Sequence, residues 1–301
     1  MLTVRTVPEL RARLAPQRRA GRRIGLVPTM GALHEGHLSL LRRARSQCDV
    51  VVMSLFVNPR QFNDAGDLAG YPRDEARDAE LAGACGVDIL FAPALEAIYP
   101  EGFATAVSVA GPAMGLESEH RGHGHFEGVA TVVAKLLNMA GPDVAYFGAK
   151  DAQQLAVIRR LVADLDLPVA IEACPTVRES SGLAMSSRNA LLSDAERQRA
   201  SALHRALERV RAAVAAGERD PAAATAGGHA ELAAAGAETE YLKLVDPLTM
   251  TALERLDRDA LAVVAARIGA VRLIDNLPVP IPRTDTRTDH EVATPTGAST
   301  A

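Results

Sequence analysis

Tryptophan is absent from this 301-residue chain, and aromatic residues make up only 3% of it. A folded core must therefore be built mainly from Leu, Val, Ile and Ala, which the hydrophobic content of 48% can supply. With 23% charged residues, this balance is typical of a globular protein that buries a substantial core. The length allows one large domain or two domains of ordinary size.

Cysteine is also scarce, with Cys48, Cys85 and Cys174 far apart in the chain. An odd number of cysteines without a Cys-x-x-Cys pair disfavours a disulfide framework and a zinc site. No stretch approaches the ~18 consecutive apolar residues of a membrane-spanning helix. The first twenty residues contain five arginines but no apolar signal segment. We therefore expect a soluble, reduced, cytoplasmic protein.

Charge of neither sign is in large excess. The formal net charge is −4 and the pI is about 6.1. No overall attraction to nucleic acids or anionic membranes is therefore expected. A phosphate-containing ligand would have to be held by a local site.

The first half of the chain alternates strand-like apolar runs with helical patterns. The run at 49–57 is apolar almost throughout, as expected for a strand that is covered on both faces. This βαβ alternation predicts an α/β fold with a doubly wound, parallel, Rossmann-like sheet, whose ligands bind beyond the carboxyl ends of the strands. Strands are predicted at 24–27, 49–57, 87–92, 105–109, 144–147 and 169–173, and helices at 33–46, 73–85, 128–140 and 152–165.

The character of the sequence changes after about residue 176. A helix is predicted over 193–216, opened by Ser193 with Glu196 three residues later as in a capping box. A second helix is predicted at 221–235, and strands at 240–245, 261–266 and 271–275, the last two as a hairpin. We predict a Rossmann-like domain at 1–176, a smaller α+β domain at 177–282, and a disordered tail at 283–301.

The most informative local pattern is the segment PTMGALHEGH at 28–37, where the first predicted strand gives way to the first helix. A helix start offers free backbone N–H groups and a positive dipole end, which favour an anion. His34 and His37 can project their imidazoles toward the same point, and Gly36 lets a ligand approach the backbone. As imidazolium, they could neutralise charge on an α-phosphate. A helix cap or metal site is the alternative, but no third ligand lies at a metal-binding spacing.

Two further segments carry groups that suit a triphosphate. The segment YFGAKDAQQ at 146–154 again follows an apolar strand and opens a helix. In it, Lys150 can reach phosphates, and Asp151 can cap the helix or bind a ribose hydroxyl. The MSSR segment at 185–188 offers two hydroxyls and a guanidinium. Taken alone, each is better explained as a capped helix or a polar loop, so its value comes from occurring together with the histidine pair.

Five segments together resemble those of one family in order and approximate spacing: PTMGALHEGH, FVNPRQF, HFEGVATVVAKLLN, YFGAKDAQQ and TVRESSGLAMSSRN. The family is that of the pantothenate synthetases (pantoate–β-alanine ligases) in the HxGH nucleotidyl-transferase superfamily, in which MSSR resembles the KMSKS-type loop. The resemblance is strong over 22–195 and weak over 196–282. It implies an enzyme that condenses pantoate with β-alanine, using ATP, through a pantoyl adenylate, with pantothenate, AMP and pyrophosphate as products.

The resemblance also implies roles for individual residues. His37 matches the family's proton donor, and His34, Lys150 and Arg188 are expected to act with it on the phosphates. Gln61 and Gln154 match the substrate-binding glutamines for pantoate and β-alanine. The expected ATP-binding residues are Met30, Gly31, Ala32, Leu33, His34, Glu35, Gly36, His37, Gly148, Ala149, Lys150, Asp151, Val177, Met185, Ser186, Ser187 and Arg188.

Further implications concern the metal, the assembly and the closure of the site. Asp78 resembles an acidic position near the family's Mg²⁺, but the preceding residue is Arg77, where an acidic residue is usual. Segment 121–126 is one residue longer than the usual Arg-Pro-x-His-Phe, which affects the match of Arg121 but not that of His125. A homodimer is the family's usual assembly. The C-terminal domain and the MSSR loop are predicted to form a partial lid.

Three other interpretations remain. The loop histidines His120, His123 and His125 form a less favoured metal-site hypothesis. An HxGH nucleotidyl transferase that stops at the nucleotide-linked product would not need Gln61 and Gln154. A non-catalytic nucleotide-binding module is the third possibility, and the intact cationic residues disfavour it.

Overall fold

The computed structural model of the chain describes residues 1–122 and 124–281. The strands are β1 (Leu2–Val4), β2 (Ile24–Thr29), β3 (Val50–Leu55), β4 (Ile89–Phe91), β5 (Val144–Gly148), β6 (Ala170–Cys174), β7 (Glu238–Val245), β8 (Ala260–Ile268) and β9 (Val271–Val279). The helices are α1 (Val7–Arg19), α2 (Glu35–Gln47), α3 (Ala65–Ala69), α4 (Glu75–Ala84), α5 (Leu95–Ile98), α6 (Glu117–Arg121), α7 (Gly124–Ala140), α8 (Ala152–Asp164), α9 (Asp194–Ala200), α10 (Ala202–Ala215) and α11 (Pro221–Ala234). Short 3₁₀ turns lie at Pro59–Gln61, Gly111–Ala113 and Ser187–Leu191.

The first sheet is parallel, with strand order β1-β4-β3-β2-β5-β6. Its strands are apolar on both faces because helices cover both. Val50 and Val52 pack with α1, α7 and α8, whereas Val51 and Met53 pack with α2 and α4. This alternation is the period of two that a strand imposes. The predicted doubly wound parallel sheet is confirmed.

The strand order reverses between β2 and β5. The chain passes from β2 to β3 in one direction, whereas β5 lies on the other side of β2. Ligands of open α/β sheets bind at such a switch point, beyond the carboxyl ends of the strands. The histidine segment follows β2 and the lysine segment follows β5, so the topology brings these two sequence motifs to the same crevice.

The second sheet is antiparallel, with order β7-β8-β9. Helices α10 and α11 cover it through a separate apolar core of residues between 183 and 279. A smaller α+β unit is therefore present, as predicted. The proposed boundary at 176/177 stays a prediction, and the tail predicted at 283–301 lies outside the described residues.

Two predicted elements differ from the structure. No strand forms at 105–109: the N–H of Val107 donates to Oγ1 of Thr131 (3.0 Å), and Val107 and Val109 pack against the core of the first sheet. Their apolar alternation therefore reflects packing on α7 rather than sheet pairing. The helix predicted at 193–216 is two helices that meet at Ser201. The predicted capping box of Ser193 and Glu196 is present.

The first twenty residues, for which the sequence analysis predicts no helix or strand, belong to the first sheet and its helices. They form β1, which pairs with β4 at the sheet edge, and α1, which Thr6 and Glu9 open with a capping box. Leu10 and Leu14 anchor α1 in the core. Within the described part of the chain, no helix is long and apolar enough to cross a membrane.

Candidate active site

The loop after β2 has a constrained backbone. Gly31 and Ala32 have φ angles of 86° and 52°, in the left-handed region that favours glycine. A Cβ on Gly31 would lie 2.7 Å from Oδ2 of Asp78. The Asp78 carboxylate is 2% exposed and accepts the N–H groups of Ala32 (3.0 Å) and Leu33 (2.8 Å). Asp78 therefore fixes the shape of this loop, and that shape requires glycine at position 31.

His34 and His37 begin α2. Nδ1 of His34 accepts the N–H of Gly36 (3.1 Å), and Nδ1 of His37 accepts the N–H of His34 (3.3 Å). The two ring centroids are 4.2 Å apart. Because both Nδ1 atoms are acceptors, each neutral imidazole carries its proton on Nε2. Each ring can therefore offer a ligand an Nε2–H group.

Burial controls the charge of both histidines. Burial and the adjacent His34 lower the pKa of His37 to about 3, although Asp151 opposes the shift. Burial, followed by the charge of Lys150, also lowers the pKa of His34. Both rings are therefore neutral near pH 7 in the ligand-free protein. The imidazolium form expected from the sequence becomes favourable only when a polyanion enters and raises these pKa values.

Lys150 lies in the loop between β5 and α8, across the switch point from the histidines. The N–H of Ala149 donates to the carbonyl of Cys174 (2.8 Å), which ties the loop to the end of β6. Nδ2 of Asn276, on β9, donates to the carbonyls of Ala149 (2.9 Å) and Lys150 (2.8 Å). Nζ of Lys150 lies 4.0 Å from Oδ1 of Asp151. The lysine backbone is thus held by both sheets.

The MSSR segment follows a small hairpin. The two arms pair through an antiparallel bridge, and Met185 donates its N–H to the carbonyl of Val177 (2.9 Å). Ser186 opens the next 3₁₀ turn, and its hydroxyl accepts the N–H of Arg188 (3.3 Å). The hairpin therefore presents a serine and an arginine side by side.

The three segments surround one cavity of about 290 Å³. Of the predicted residues, its lining includes Met30, His34, Gly36, His37, Gln61, Gly148, Lys150, Asp151, Gln154, Val177, Met185, Ser186, Ser187 and Arg188. The predicted residues outside the lining are Gly31, Ala32, Leu33, Glu35, Asp78 and Ala149. Leu33 is buried in the core, and Glu35 pairs with Arg42 at the surface. The imidazoles, the lysine and the arginine thus converge on one cavity.

Gln61 lies on the 3₁₀ turn Pro59–Gln61, which packs on α7. Gly128 permits this contact, because a Cβ there would lie 2.3 Å from the carbonyl oxygen of Arg60. Nδ2 of Asn58 donates to Oε1 of Gln61 (3.0 Å). Nδ1 of His125 lies 2.7 Å from the carbonyl oxygen of Gln61 and must donate to it, since a carbonyl only accepts. Both the backbone and the side chain of Gln61 are therefore fixed.

The described histidines of the 120–125 loop, His120 and His125, give no support to a metal site. His125 serves the Gln61 turn, and burial, followed by the charge of Arg121, lowers the pKa of His125 to about 4. His123 lies outside the described residues. Among residues 1–122 and 124–281, no group of three or more His, Cys, Asp or Glu side chains is placed to hold a metal ion.

The adjacent glutamines of α8 have different surroundings. Gln154 lines the cavity and is half-buried. Gln153 is 4% exposed; its Nε2 donates to three carbonyls of the 112–115 segment, and its Oε1 accepts the N–H of Glu117 (3.0 Å). Gln154 is thus placed where a ligand could reach it, whereas Gln153 braces the wall, and the role of Gln154 in binding substrate stays a prediction.

A buried ionic cluster around Glu117 forms part of the cavity wall. The carboxylate accepts two hydrogen bonds from Arg272 (2.7 and 2.9 Å), one from Nε of Arg121 (2.9 Å) and one from the hydroxyl of Tyr241 (2.8 Å). Burial by itself raises the pKa of Glu117, but hydrogen bonds and charge from Arg272, helped by Arg121, outweigh it and lower the pKa to about 2. Glu117 therefore stays ionised and joins α6 to the second sheet.

Sequence reasoning missed several lining residues: Asn58, Tyr71, Glu117, Tyr241, Asp275 and Asn276. Two of them carried a usable signal. Apart from Arg272, the polar residues of β9 are the consecutive Asp275 and Asn276, and both of these are buried. Adjacent buried polar side chains in a strand need partners on both faces, which indicates contact with another part of the protein.

Comparison with known proteins identifies relatives along nearly the whole chain. The family model described as "Pantoate-beta-alanine ligase" matches residues 2–278. A protein named pantothenate synthetase from Cereibacter sphaeroides is 55% identical over 277 residues, which cover 92% of this chain and 99% of the relative. One of the same name from Heliobacterium modesticaldum is 51% identical and covers 93% of this chain and 100% of its own.

Solved structures extend the agreement to the fold. Pantothenate synthetase from Thermus thermophilus has a TM-score of 0.87 at 48% identity, covering 94% of this chain and 100% of its own. Pantoate-beta-alanine ligase from Francisella tularensis, solved as a complex with beta-gamma ATP and beta-alanine, has a TM-score of 0.77 at 34% identity, covering 92% and 97%. Since the family model matches residues 2–278 and relatives of about 50% identity cover more than nine-tenths of the chain, this protein belongs to the pantoate–β-alanine ligase family.

Proposed function

We propose that the cavity binds ATP, pantoate and β-alanine and makes pantothenate in two steps, with AMP and pyrophosphate as the other products. The observation that carries this proposal is the convergence of His34, His37, Lys150 and Arg188 on one cavity, together with Gln61 and Gln154. Cationic groups suit a triphosphate, whereas an amide can both donate to a carboxylate and accept from a hydroxyl. The cavity thus offers chemistry for a nucleotide and for a hydroxy acid.

In the first step, a carboxylate oxygen of pantoate attacks the α-phosphorus of ATP. A new O–P bond forms, the bond from the α-phosphorus to the bridging oxygen breaks, and pyrophosphate leaves with that electron pair. Two anions must meet, so the negative charge on the phosphates has to be shielded. Lys150, Ser186 and Arg188 serve the phosphates, while the Nε2–H groups of His34 and His37 stabilise the charge that grows in the transition state.

In the second step, the amine of β-alanine attacks the carbonyl carbon of the pantoyl adenylate. The C–N bond forms, the bond from that carbon to the phosphate oxygen breaks, and AMP leaves while the amine loses a proton. Water must be kept out, because it would hydrolyse the adenylate. The C-terminal unit and the MSSR loop form a partial lid for this purpose, since both border the cavity.

Mg²⁺ is best treated as part of the ATP substrate. The fit of a protein-held ion is poor, because the predicted ligand Asp78 accepts two loop N–H groups and lies outside the cavity lining. Mg²⁺ usually keeps several waters and binds phosphate oxygens, so no step is assigned to a protein-bound ion. The homodimer stays a prediction, which light scattering of the purified protein would test.

Pantoate-dependent exchange of labelled pyrophosphate into ATP, without β-alanine, tests the first step. We expect exchange in the wild type and AMP release once β-alanine is added. His37→Ala should lower the exchange rate by about 10²- to 10³-fold, the usual effect of losing a transition-state donor. His229→Ala, at an exposed histidine of α11, is the matched control.

Three results would count against the proposal. Exchange that needs no pantoate would point to a different acceptor. Exchange without AMP release on adding β-alanine would indicate a nucleotidyl transferase. Unchanged turnover in His37→Ala would remove His37 from the mechanism.

A further inference from the structure

Two neighbouring residues of β9, Asp275 and Asn276, connect the second sheet to the loops that carry the cations of the site. They are 4% and 6% exposed, and both border the cavity. Successive side chains of a strand point to opposite faces. The pair can therefore hold two different loops at once, and each loop has its own set of hydrogen bonds to one member.

Asn276 holds the lysine loop. Its Nδ2 donates to the carbonyls of Ala149 (2.9 Å) and Lys150 (2.8 Å), which together use both N–H groups of the amide. These carbonyls belong to the backbone that sets where the Lys150 side chain begins. The contact spans 126 and 127 positions in sequence, so it joins the two sheets rather than bracing a local turn.

Asp275 holds the base of the MSSR hairpin through Arg178. The two carboxylate oxygens accept from Nη1 (2.6 Å) and Nη2 (3.0 Å) of Arg178. The same guanidinium donates to the carbonyl of Gly182 (3.1 Å) at the hairpin turn and to the carbonyl of Asn276 (3.2 Å). This fork fixes the hairpin whose far arm leads into Ser186.

We propose that Asp275 and Asn276 are positioning residues that set the spacing between the Lys150 loop and the Ser186–Arg188 segment around the triphosphate. This inference rests on the proposed function. Consecutive residues of one strand are separated by a fixed backbone length, so β9 sets the spacing between the two loops that it holds. Neither residue has to touch the substrate for this role.

The size of the effect follows from geometry. Displacing a catalytic group by about 1 Å can lower the rate about 100-fold. Losing the Asn276 amide frees the Lys150 backbone from the second sheet, so we expect Asn276→Ala and the nearly isosteric Asn276→Asp to lower pantoate-dependent pyrophosphate exchange by about 10- to 100-fold. Asn276→Asp keeps the volume but adds a negative charge, whereas Asn276→Ala adds no charge but leaves a cavity, so a loss that both variants share reports the lost hydrogen bonds.

A double-mutant cycle tests whether Asn276 acts through Lys150. ATP affinity and exchange rate are measured for wild type, Asn276→Asp, Lys150→Ala and the double variant. Groups that act as a unit are strongly non-additive, so Asn276→Asp should weaken ATP binding in the wild type but change it less than about twofold when Lys150 is already alanine. Asn138→Ala, which removes an exposed amide bonded within α7, is the matched control and should be additive.

The second arm addresses the other loop. In the corresponding double-mutant cycle, Asp275→Asn should weaken ATP binding in the wild type but change it little when Ser186 is already alanine. Asp275→Glu keeps the negative charge that pairs with Arg178, so it should recover part of the lost affinity. Additive effects in both cycles, or wild-type ATP affinity in Asn276→Asp, would overturn the positioning role. If Lys150→Ala leaves the exchange rate unchanged, the role of Lys150 in the proposed function is wrong. If Lys150→Ala lowers the exchange rate but Asn276→Asp keeps full activity, only the positioning role is wrong.

Discussion

At the level of single residues, the histidine pair shows how burial prepares the site for an anion. The rings accept backbone N–H groups at Nδ1, and the pKa of His37 is lowered to about 3. In the proposed function, neutral Nε2–H groups bind a phosphate without the desolvation penalty of a buried cation. Negative charge that grows on the phosphates would then make the same rings more basic, so that they take up or share a proton. Lys150 thus offers a cation to the incoming phosphates, whereas the histidines gain positive charge only in response to them.

Asp78 permits the first prediction, because a loop role and a metal role differ in their response to Mg²⁺. In Asp78→Asn the amide oxygen can accept only one of the two backbone N–H groups, and the NH₂ group then faces the other N–H donor. We expect the free energy of unfolding to fall by about 2–3 kcal/mol and the KM for ATP to rise. Both are measured by urea unfolding and steady-state kinetics.

Glu80→Gln, an exposed acid on the same helix, is the control and should resemble the wild type. The decisive comparison is a titration with Mg²⁺. A loop defect persists at saturating Mg²⁺. If high Mg²⁺ restored the KM of Asp78→Asn to the wild-type value, Asp78 would act as a metal ligand and the structural explanation would be wrong.

At the level of elements, the regular parts of the fold were readable from the sequence and the exceptions have identifiable causes. A run that is apolar nearly throughout, such as 49–57, forms a strand covered on both faces when it alternates with helical segments. The helix predicted at 193–216 is interrupted at Ser201, whose hydroxyl donates to the carbonyl of Gln198 (2.6 Å). The strand predicted at 105–109 was wrong because packing on α7 depends on contacts with residues distant in sequence. The local sequence pattern does not predict such contacts.

The candidate site divides in the same way. Motifs at strand ends, such as His34–His37 and Lys150, were found because sheet topology brings strand ends together. Glu117 and Asn276 were missed because their importance comes from partners more than a hundred residues away. These partners could not be inferred without knowing how the two sheets are placed.

The contact between α7 and the turn before Gln61 gives the second prediction. A Cβ at Gly128 would lie 2.3 Å from a backbone oxygen of the turn, which cannot swing away as a flexible side chain would. Gly128→Ala should therefore displace Gln61, raise the KM for pantoate and lower the free energy of unfolding by about 1–3 kcal/mol. Kinetics at saturating ATP and urea unfolding measure the two effects.

Gly83→Ala is the matched control, because nothing lies within 4 Å of its Cβ position in α4. In that open position, alanine should stabilise the helix by up to about 1 kcal/mol and leave the KM for pantoate unchanged. If the two variants have the same KM for pantoate and the same free energy of unfolding, the turn accommodates the methyl group without moving Gln61, and this prediction is wrong.

At the level of the whole molecule, the two sheets are joined by apolar and ionic contacts of different character. Leu116 and Ala156 from the first unit pack with Val245, Met250 and Val263 from the second. Non-directional apolar contacts tolerate sliding, whereas the hydrogen-bonded ions at Glu117 specify one arrangement. The ionic cluster therefore decides how the cavity walls meet, and its protonation links this arrangement to pH.

Glu117 gives the last prediction, in which stability depends on pH with a definite sign. Its pKa is about 2 in the folded protein, below the ordinary 4.5. Its contribution is therefore complete above pH 4.5 and is lost as the pH falls from 4.5 toward 2. Glu117→Gln should lower the free energy of unfolding at pH 7 by about 3 kcal/mol. This is the lower part of the range for breaking a buried pair, because Arg272 keeps its second partner, Glu240, at 2.8 Å.

Urea unfolding between pH 7 and pH 3.5 should show the free energy of unfolding of the wild type approaching that of the variant as acid is added. Glu254→Gln, an exposed control, should stay parallel to the wild type. A gap between wild type and Glu117→Gln that stays constant down to pH 3.5 would mean that Glu117 is not the acid-sensitive link between the two sheets.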